Sequence, residues 1–246
     1  LKRFGPPAVN GIAWAPDEGT QPPPQWAPAV YRGELKLGPG TVDVRAFSPK
    51  RTGFRLRAGS SGGHPDELSR LGPTLAGRVL GALVTGGADN HLALRVSGHA
   101  LGTPSSGARL YVDTTERLRV VGPSQHGSIP EDADWMELPL LAAGAKVAPD
   151  TRDVGDSRFR TAVCSTQDGT VWLARAQARS YAPLVETLQR AGCEVVASLD
   201  RGTERPSKLY RVGTGDAPVD RYDVPVVYVL GAPLAPGAFR WRSDVQ

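Results

Sequence analysis

No apolar run in this chain of 246 residues approaches the roughly 20 that a membrane-crossing helix needs, so no helical span is expected. Cysteine is nearly absent, with only Cys164 and Cys193, and the four histidines (His64, His91, His99, His126) are scattered. No zinc-type spacing arises, and a multi-histidine metal centre is not expected. The Rossmann and Walker glycine fingerprints are missing, which removes the usual routes to dinucleotide or nucleoside triphosphate binding. No G-x-S-x-G elbow is present, so a serine-hydrolase triad has little support. No repeat of 20–50 residues is visible, against a solenoid or propeller. Charge of one sign is also scarce: 29 basic and 25 acidic residues leave a net +4. That is mild for this length and reads as a solvated surface of mixed sign. Nucleic-acid binding calls for a continuous basic stripe with exposed aromatics, and only "FRWR" near the end resembles one, so that partner is not expected. No signal peptide is visible, but the chain opens on Leu1, as a processed product would.

What is abundant is glycine (29) and proline (22), a composition that suits many short strands joined by turns. Residues 1–28 are proline-rich and read as an extended arm, held to the body by Trp14 and Trp26 or offered to an assembly partner. Residues 29–246 read as a single domain. Alternating and continuous apolar patterns place strands near 29–37, 41–47, 52–57, 78–84, 92–97, 108–113, 117–121, 135–142, 158–165, 170–176, 194–199, 208–212 and 225–230. Pro65-Asp66-Glu67 marks a short helix start, and 123–134 reads as a polar loop. One longer helix stands out in "APLVETLQRAG", with Pro183 in its first turn and Arg190 and Gly192 at its stop. Tyr181, Leu184, Val185, Leu188 and Ala191 share its apolar face. The fold expected is α+β: a mixed, mostly antiparallel β-sheet core with few helices. Cys164 and Cys193 form one disulfide if the chain is exported, or stay two buried thiols if it is not.

Four stretches carry residues with chemical potential. In "VTGGADN" (84–90), Gly86 and Gly87 let backbone approach a ligand and offer N–H groups to an anion; a plain hairpin turn is the other reading. In "GTPSSG" (102–107), hydroxyls either hold phosphate or sugar, or make a turn. In "RFRTAVCSTQDGTVWLARA" (158–176), a hairpin turning at Asp168-Gly169, Arg160 either grips a phosphate or carboxylate or pairs with an acid such as Asp200. In "EVVASLDRGTERPS" (194–207), an apolar strand delivers Asp200 into a polar loop. Asp200 is there either a general acid, base or metal ligand, or the residue that ends the strand.

Taken together, "RTAV", then "DGTVWLARA", a helix and a strand ending "ASLDRG" resemble the phosphodiester glycosidase family, whose pattern runs R-T-A-[IV]-G, D-G-x-[LV], a helix, then an apolar strand ending L-D-G-G-G-S. "ALVTGG" sits where that family carries N-G-G, and the likeness extends over roughly residues 80–212. An exopolysaccharide-type subgroup is similar in its "AGC" and in the strand "KLYRV". The resemblance implies cleavage between a sugar and a phosphate, a carbohydrate or sugar-phosphate ligand, and export to a periplasmic, cell-surface or extracellular site. It implies Arg160 and Asp200 as catalytic residues and Gly86, Gly87, Thr161 and Gly202 as substrate-binding residues. Asp200 would act as acid or base, or orient a water or a divalent metal ion. Three departures point the other way: Thr85 replaces the family Asn, Cys164 replaces a Gly, and "DRGTERPS" replaces the glycine run. Arg201 and Thr203 put bulk where a ligand would lie, as a non-catalytic glycan-binding or assembly module would have it.

Overall fold

The computed structural model describes residues 12–17, 28–86, 93–152, 154–200, 207–212 and 217–232. Its strands, in chain order, are β1 (Ala15–Pro16), β2 (Val30–Leu37), β3 (Gly40–Phe47), β4 (Thr52–Arg57), β5 (Val79–Val84), β6 (Leu94–Val96), β7 (His99–Leu101), β8 (Ala108–Val112) and β9 (Leu118–Val121). They continue as β10 (Asp134–Leu138), β11 (Leu140–Ala143), β12 (Lys146–Val147), β13 (Arg158–Thr166), β14 (Val171–Ala178), β15 (Cys193–Ser198), β16 (Lys208–Arg211) and β17 (Val226–Gly231). The α-helices are α1 (Asp66–Ser69), α2 (Pro73–Ala76) and α3 (Ala182–Arg190). The fold is α+β and mostly antiparallel, as the patterning predicts.

Three sheets share the work. The largest runs β1-β2-β3-β14-β13-β15-β11-β12, a second runs β7-β6-β10-β8-β9, and a third runs β16-β5-β17-β4. A central core gathers side chains from all three, among them Phe47, Leu56, Leu83, Leu110, Val163, Leu199 and Val227. Because successive strand residues face opposite ways, the other face of the large sheet presents Ala162, Cys164, Trp172 and Val196. There it meets Leu184, Val185 and Leu188 of α3. Those three side chains are fully buried, each worth about 1.5–3 kcal/mol of apolar transfer. The helix stops at Gly192, whose φ of +99° suits glycine.

Both β14 and β15 pair antiparallel with β13, so they run in the same direction on either side of it, and α3 is the crossover between them. The β13–β14 hairpin turns at Asp168-Gly169 as expected: Gly169 has φ +77°, and the Gly169 N–H donates to Thr166 O at 2.8 Å. Cys164 and Cys193 form a disulfide between β13 and β15, with Cα atoms 5.8 Å apart, within the normal range.

Two expectations change. The single strand expected near 135–142 is two strands in two sheets: β10 pairs with β6 and β8, while β11 pairs with β15. Pro139 lies between them; it has no N–H for a ladder, and its carbonyl accepts from Ser198 N–H at 2.9 Å. The short strand β7, made of His99, Ala100 and Leu101, pairs with β6 and is an addition to the strands that apolar patterning alone places.

The described part of the arm lies on the body. Ile12 is buried, and Trp14 meets Trp172 edge to face at 5.7 Å. Asp17, also buried, bridges Arg45 at 3.0 Å and Arg211 at 2.7 Å. Gly33 makes room: a methyl there would overlap Ile12. Trp26 and the "FRWR" segment lie outside the described residues.

Candidate functional site

Three separated pieces of backbone meet where β13 begins and β15 ends. Leu199 N–H donates to Thr161 O at 3.0 Å, and Gly86 N–H donates to Leu199 O at 2.8 Å. These two bonds tie the large sheet to the end of β5 and bring Thr161, Asp200 and Gly86 to one place. Gly87 and Gly202 lie outside the described residues, as do Arg201 and Thr203.

Asp200 is 2% exposed. Its Oδ2 accepts the Thr161 N–H and, at 2.7 Å, the Tyr181 hydroxyl. Its Oδ1 accepts the Ser207 N–H at 2.8 Å and the Ser207 hydroxyl at 2.9 Å. A carboxylate has about four lone-pair positions, and four donors from the described residues reach this one. Each such bond to a charged acceptor is worth about 1.5–3 kcal/mol. Tyr181 Oη also lies 2.7 Å from Ser198 Oγ. Burial, followed by the adjacent Asp200 carboxylate, pushes the Tyr181 phenol well above its ordinary 10.0, so it stays protonated and donates.

Arg160 and Thr161 are neighbours on one strand and therefore point to opposite faces of the sheet. Arg160 sits on the α3 face with its guanidinium carbon 5.1 Å from the centre of the Tyr181 ring. Its Nη2 donates to Arg179 O at 2.8 Å and its Nε to Ala178 O at 3.4 Å, and the residue is 7% exposed. Arg160 and Asp200 thus meet through Tyr181. The Thr161 hydroxyl is buried and has no hydrogen-bond partner among the described residues. Thr85 gives both its N–H and its hydroxyl to Pro225 O, at 3.1 and 2.9 Å.

The expected backbone approach at Gly86 is altered by this geometry. Its N–H is donated to Leu199 O and so is directed into the fold. As for metal, N–H and O–H donors point at both Asp200 oxygens, a poor environment for a cation. No cluster of three His, Cys, Asp or Glu side chains with ligating geometry occurs among the described residues.

The second hydroxyl-rich stretch has a protein partner. Glu137, 1% exposed on β10, accepts the Ser105 N–H at 2.9 Å, the Ser105 hydroxyl, and the Gly107 N–H at 2.7 Å. "GTPSSG" is therefore a turn that wraps a buried glutamate. Burial tends to raise the Glu137 carboxyl, but the Ser105 and Gly107 bonds, with Arg109 nearby, outweigh it and hold it below its ordinary value. Gly107 is required there, because a methyl would press on Leu138 O and on Glu137 itself.

Sequence reasoning did not find Tyr181, Ser198, Ser207 or Glu137 as members of these networks. Tyr181 reads as one more apolar position of α3. The signal for Glu137 is an acid inside the apolar strand "WMELPL".

No family model and no curated protein matches this chain. Among solved structures, the zebrafish N-acetylglucosamine-1-phosphodiester alpha-N-acetylglucosaminidase catalytic domain, auto-inhibited by its pro-peptide, is similar with a TM-score of 0.51 and 12% identity. That match covers 91% of this chain and 83% of the other. A hypothetical protein from Synechocystis is similar with a TM-score of 0.43 and 11% identity, over 83% of this chain and 62% of the other. The chain shares its fold, distantly, with a glycosidase catalytic domain.

Proposed function

We propose that this chain is a non-catalytic carbohydrate-binding or assembly module built on a phosphodiester-glycosidase-like scaffold, with Asp200 as a structural residue. The observation that carries the reading is the saturation of the Asp200 carboxylate by Thr161, Tyr181 and Ser207 at 2% exposure. A general acid or base must reach a proton on the substrate within hydrogen-bond distance, and this carboxylate reaches three protein residues instead. The replaced family positions Thr85 and Arg201 support the same reading. The Cys164–Cys193 disulfide supports export, since such bonds persist in oxidising compartments. The ligand class, a glycan or sugar phosphate, follows from the sequence resemblance and from the enzyme whose fold is shared.

One arrangement favours a second reading, hydrolysis of sugar phosphodiesters with Arg160 holding the phosphate and Asp200 assisting. Thr161, Asp200 and Gly86 come together, Arg160 stands against the Tyr181 ring that bonds Asp200, and the Thr161 hydroxyl lacks a partner among the described residues. In that reading Gly87 and Gly202 would complete the substrate contacts. Incubating the purified chain with nitrophenyl-type sugar phosphodiesters, with and without divalent metal, separates the two. The module reading expects release of nitrophenol at the buffer rate. Turnover that disappears in a stably folded Asp200→Asn chain would establish the hydrolase.

A further inference from the structure

A cleft of about 190 Å³ opens at the other end of β13 from Asp200, between the β13–β14 turn and β9. Thr161 and Thr166, the last residue of β13 before that turn, are five strand steps apart, roughly 17 Å at the usual rise. The cleft is therefore separate from the cluster at Asp200. Phe47 and Phe54, packed edge to face with centres 5.3 Å apart, contribute an apolar floor, and Thr170 adds a hydroxyl to the wall. Arg117 and Arg119, on either side of Leu118 where β9 begins, also line it.

Charge decides what such a cleft accepts. Neither guanidinium has an ion-pair partner among the described residues, whereas Arg45, Arg55 and Arg78 elsewhere are each matched to a carboxylate. Asp168, the acid lining the cleft, turns one oxygen inward: Oδ1 accepts from the Thr166 hydroxyl and from Thr170 N–H at 3.0 Å. Two guanidinium groups against one partly engaged carboxylate leave the lining net positive. Arg119 lies over the turn at Gly169, where a methyl group would collide with its Nη1. The glycine thus permits the placement of that guanidinium as well as the turn.

We infer that this cleft binds an anionic monosaccharide unit, a sugar ring bearing a carboxylate or a phosphate, with the anion on Arg117 and Arg119 and the C–H face of the ring toward Phe47 and Phe54. A guanidinium matches either anion by paired N–H bonds. A space of this size holds one ring and not a chain of them. The choice of a sugar over another ringed anion rests on the glycan-binding reading above; the cleft and its charge do not.

Calorimetric titration of the full chain with glucose 1-phosphate and with glucuronate tests this, with glucose, inorganic phosphate and benzoate as comparison probes. Saturable binding of at least one acidic sugar is expected, and which one binds identifies the anion. Glucose and inorganic phosphate should bind at least about tenfold more weakly, because each lacks half of the recognition. The Arg117→Gln/Arg119→Gln chain should lose about tenfold or more in affinity with its Tm unchanged. The inference is overturned if neither acidic sugar binds, if the double variant binds them equally well, or if phosphate by itself binds as tightly. Binding of benzoate but of neither sugar overturns the sugar assignment. A glycan array keeps the two ideas apart: glycan binding retained by the double variant leaves the module reading standing and removes this cleft from it.

Discussion

The Tyr181 hydroxyl joins Asp200 Oδ2 and Ser198 Oγ, each at 2.7 Å, and so ties the entry of α3 to the end of β15. The same ring lies under the Arg160 guanidinium at 5.1 Å. One tyrosine therefore links the start of the crossover helix to Arg160 on β13, to the end of β15 and to the carboxylate just beyond it. Its removal should be felt as lost stability.

Tyr181→Phe deletes the hydroxyl and leaves a buried carboxylate short of one donor. A loss of about 2 kcal/mol is expected, seen as a Tm lower by about 4–8 °C in thermal unfolding. The pH profile adds a second readout. The folded-state phenol titrates above its ordinary 10.0 because of burial first and Asp200 second. Its contribution is complete below that pH and is lost as pH rises beyond it, because the unfolded chain gives up the proton first. Stability should therefore fall less steeply on the alkaline side in Tyr181→Phe than in the parent chain. Tyr228, raised chiefly by burial, continues to contribute to the slope of both.

Glu137 behaves in the opposite sense. Its folded-state carboxyl is held below its ordinary value of 4.5 by Ser105 and Gly107 in spite of burial. The resulting stabilisation is present above that ordinary value and disappears as pH falls through the lowered one. Glu137→Gln should cost about 2–3 kcal/mol near neutrality. The gap in Tm between parent and variant should narrow on acidification toward about pH 3, by calorimetry at both values.

Reduction of the Cys164–Cys193 bond, or the pair Cys164→Ser/Cys193→Ser, releases a closure of 29 residues. Chain entropy puts the loss at about 3–4 kcal/mol. Thiol titration of the unfolded, unreduced chain should find no reactive group, and the midpoint of urea unfolding should drop on reduction.

Most strands were legible because they carry either period-two alternation or, as in β5 and β17, a continuous apolar run. "TVDVRAF" and "FRLRA" announce β3 and β4, and Pro183 with Gly192 brackets α3. The partition into three sheets was not legible, because Pro139 divides what reads as a single apolar strand. The family resemblance implied one site holding Arg160, Thr161, Asp200 and the Gly86-Gly87 pair; of these, Thr161, Asp200 and Gly86 are joined by hydrogen bonds around Leu199 and Asp200. The saturation of Asp200 did not follow, since its donors are brought in by tertiary structure from β13, from the start of α3 and from Ser207. Nothing local to "SLDRG" records them. Likewise, the hydroxyls of "GTPSSG" read equally well as a ligand cradle until Glu137, 30 residues beyond Gly107, is seen to occupy it.

The most direct test is the Asp200→Asn chain, measured for thermal stability beside its parent. An amide places an NH2 group against N–H and O–H donors, and the account predicts a loss of about 3 kcal/mol, a Tm lower by roughly 6–12 °C. A variant that melts with its parent, yet has lost a sugar-phosphodiesterase activity the parent possesses, would contradict it.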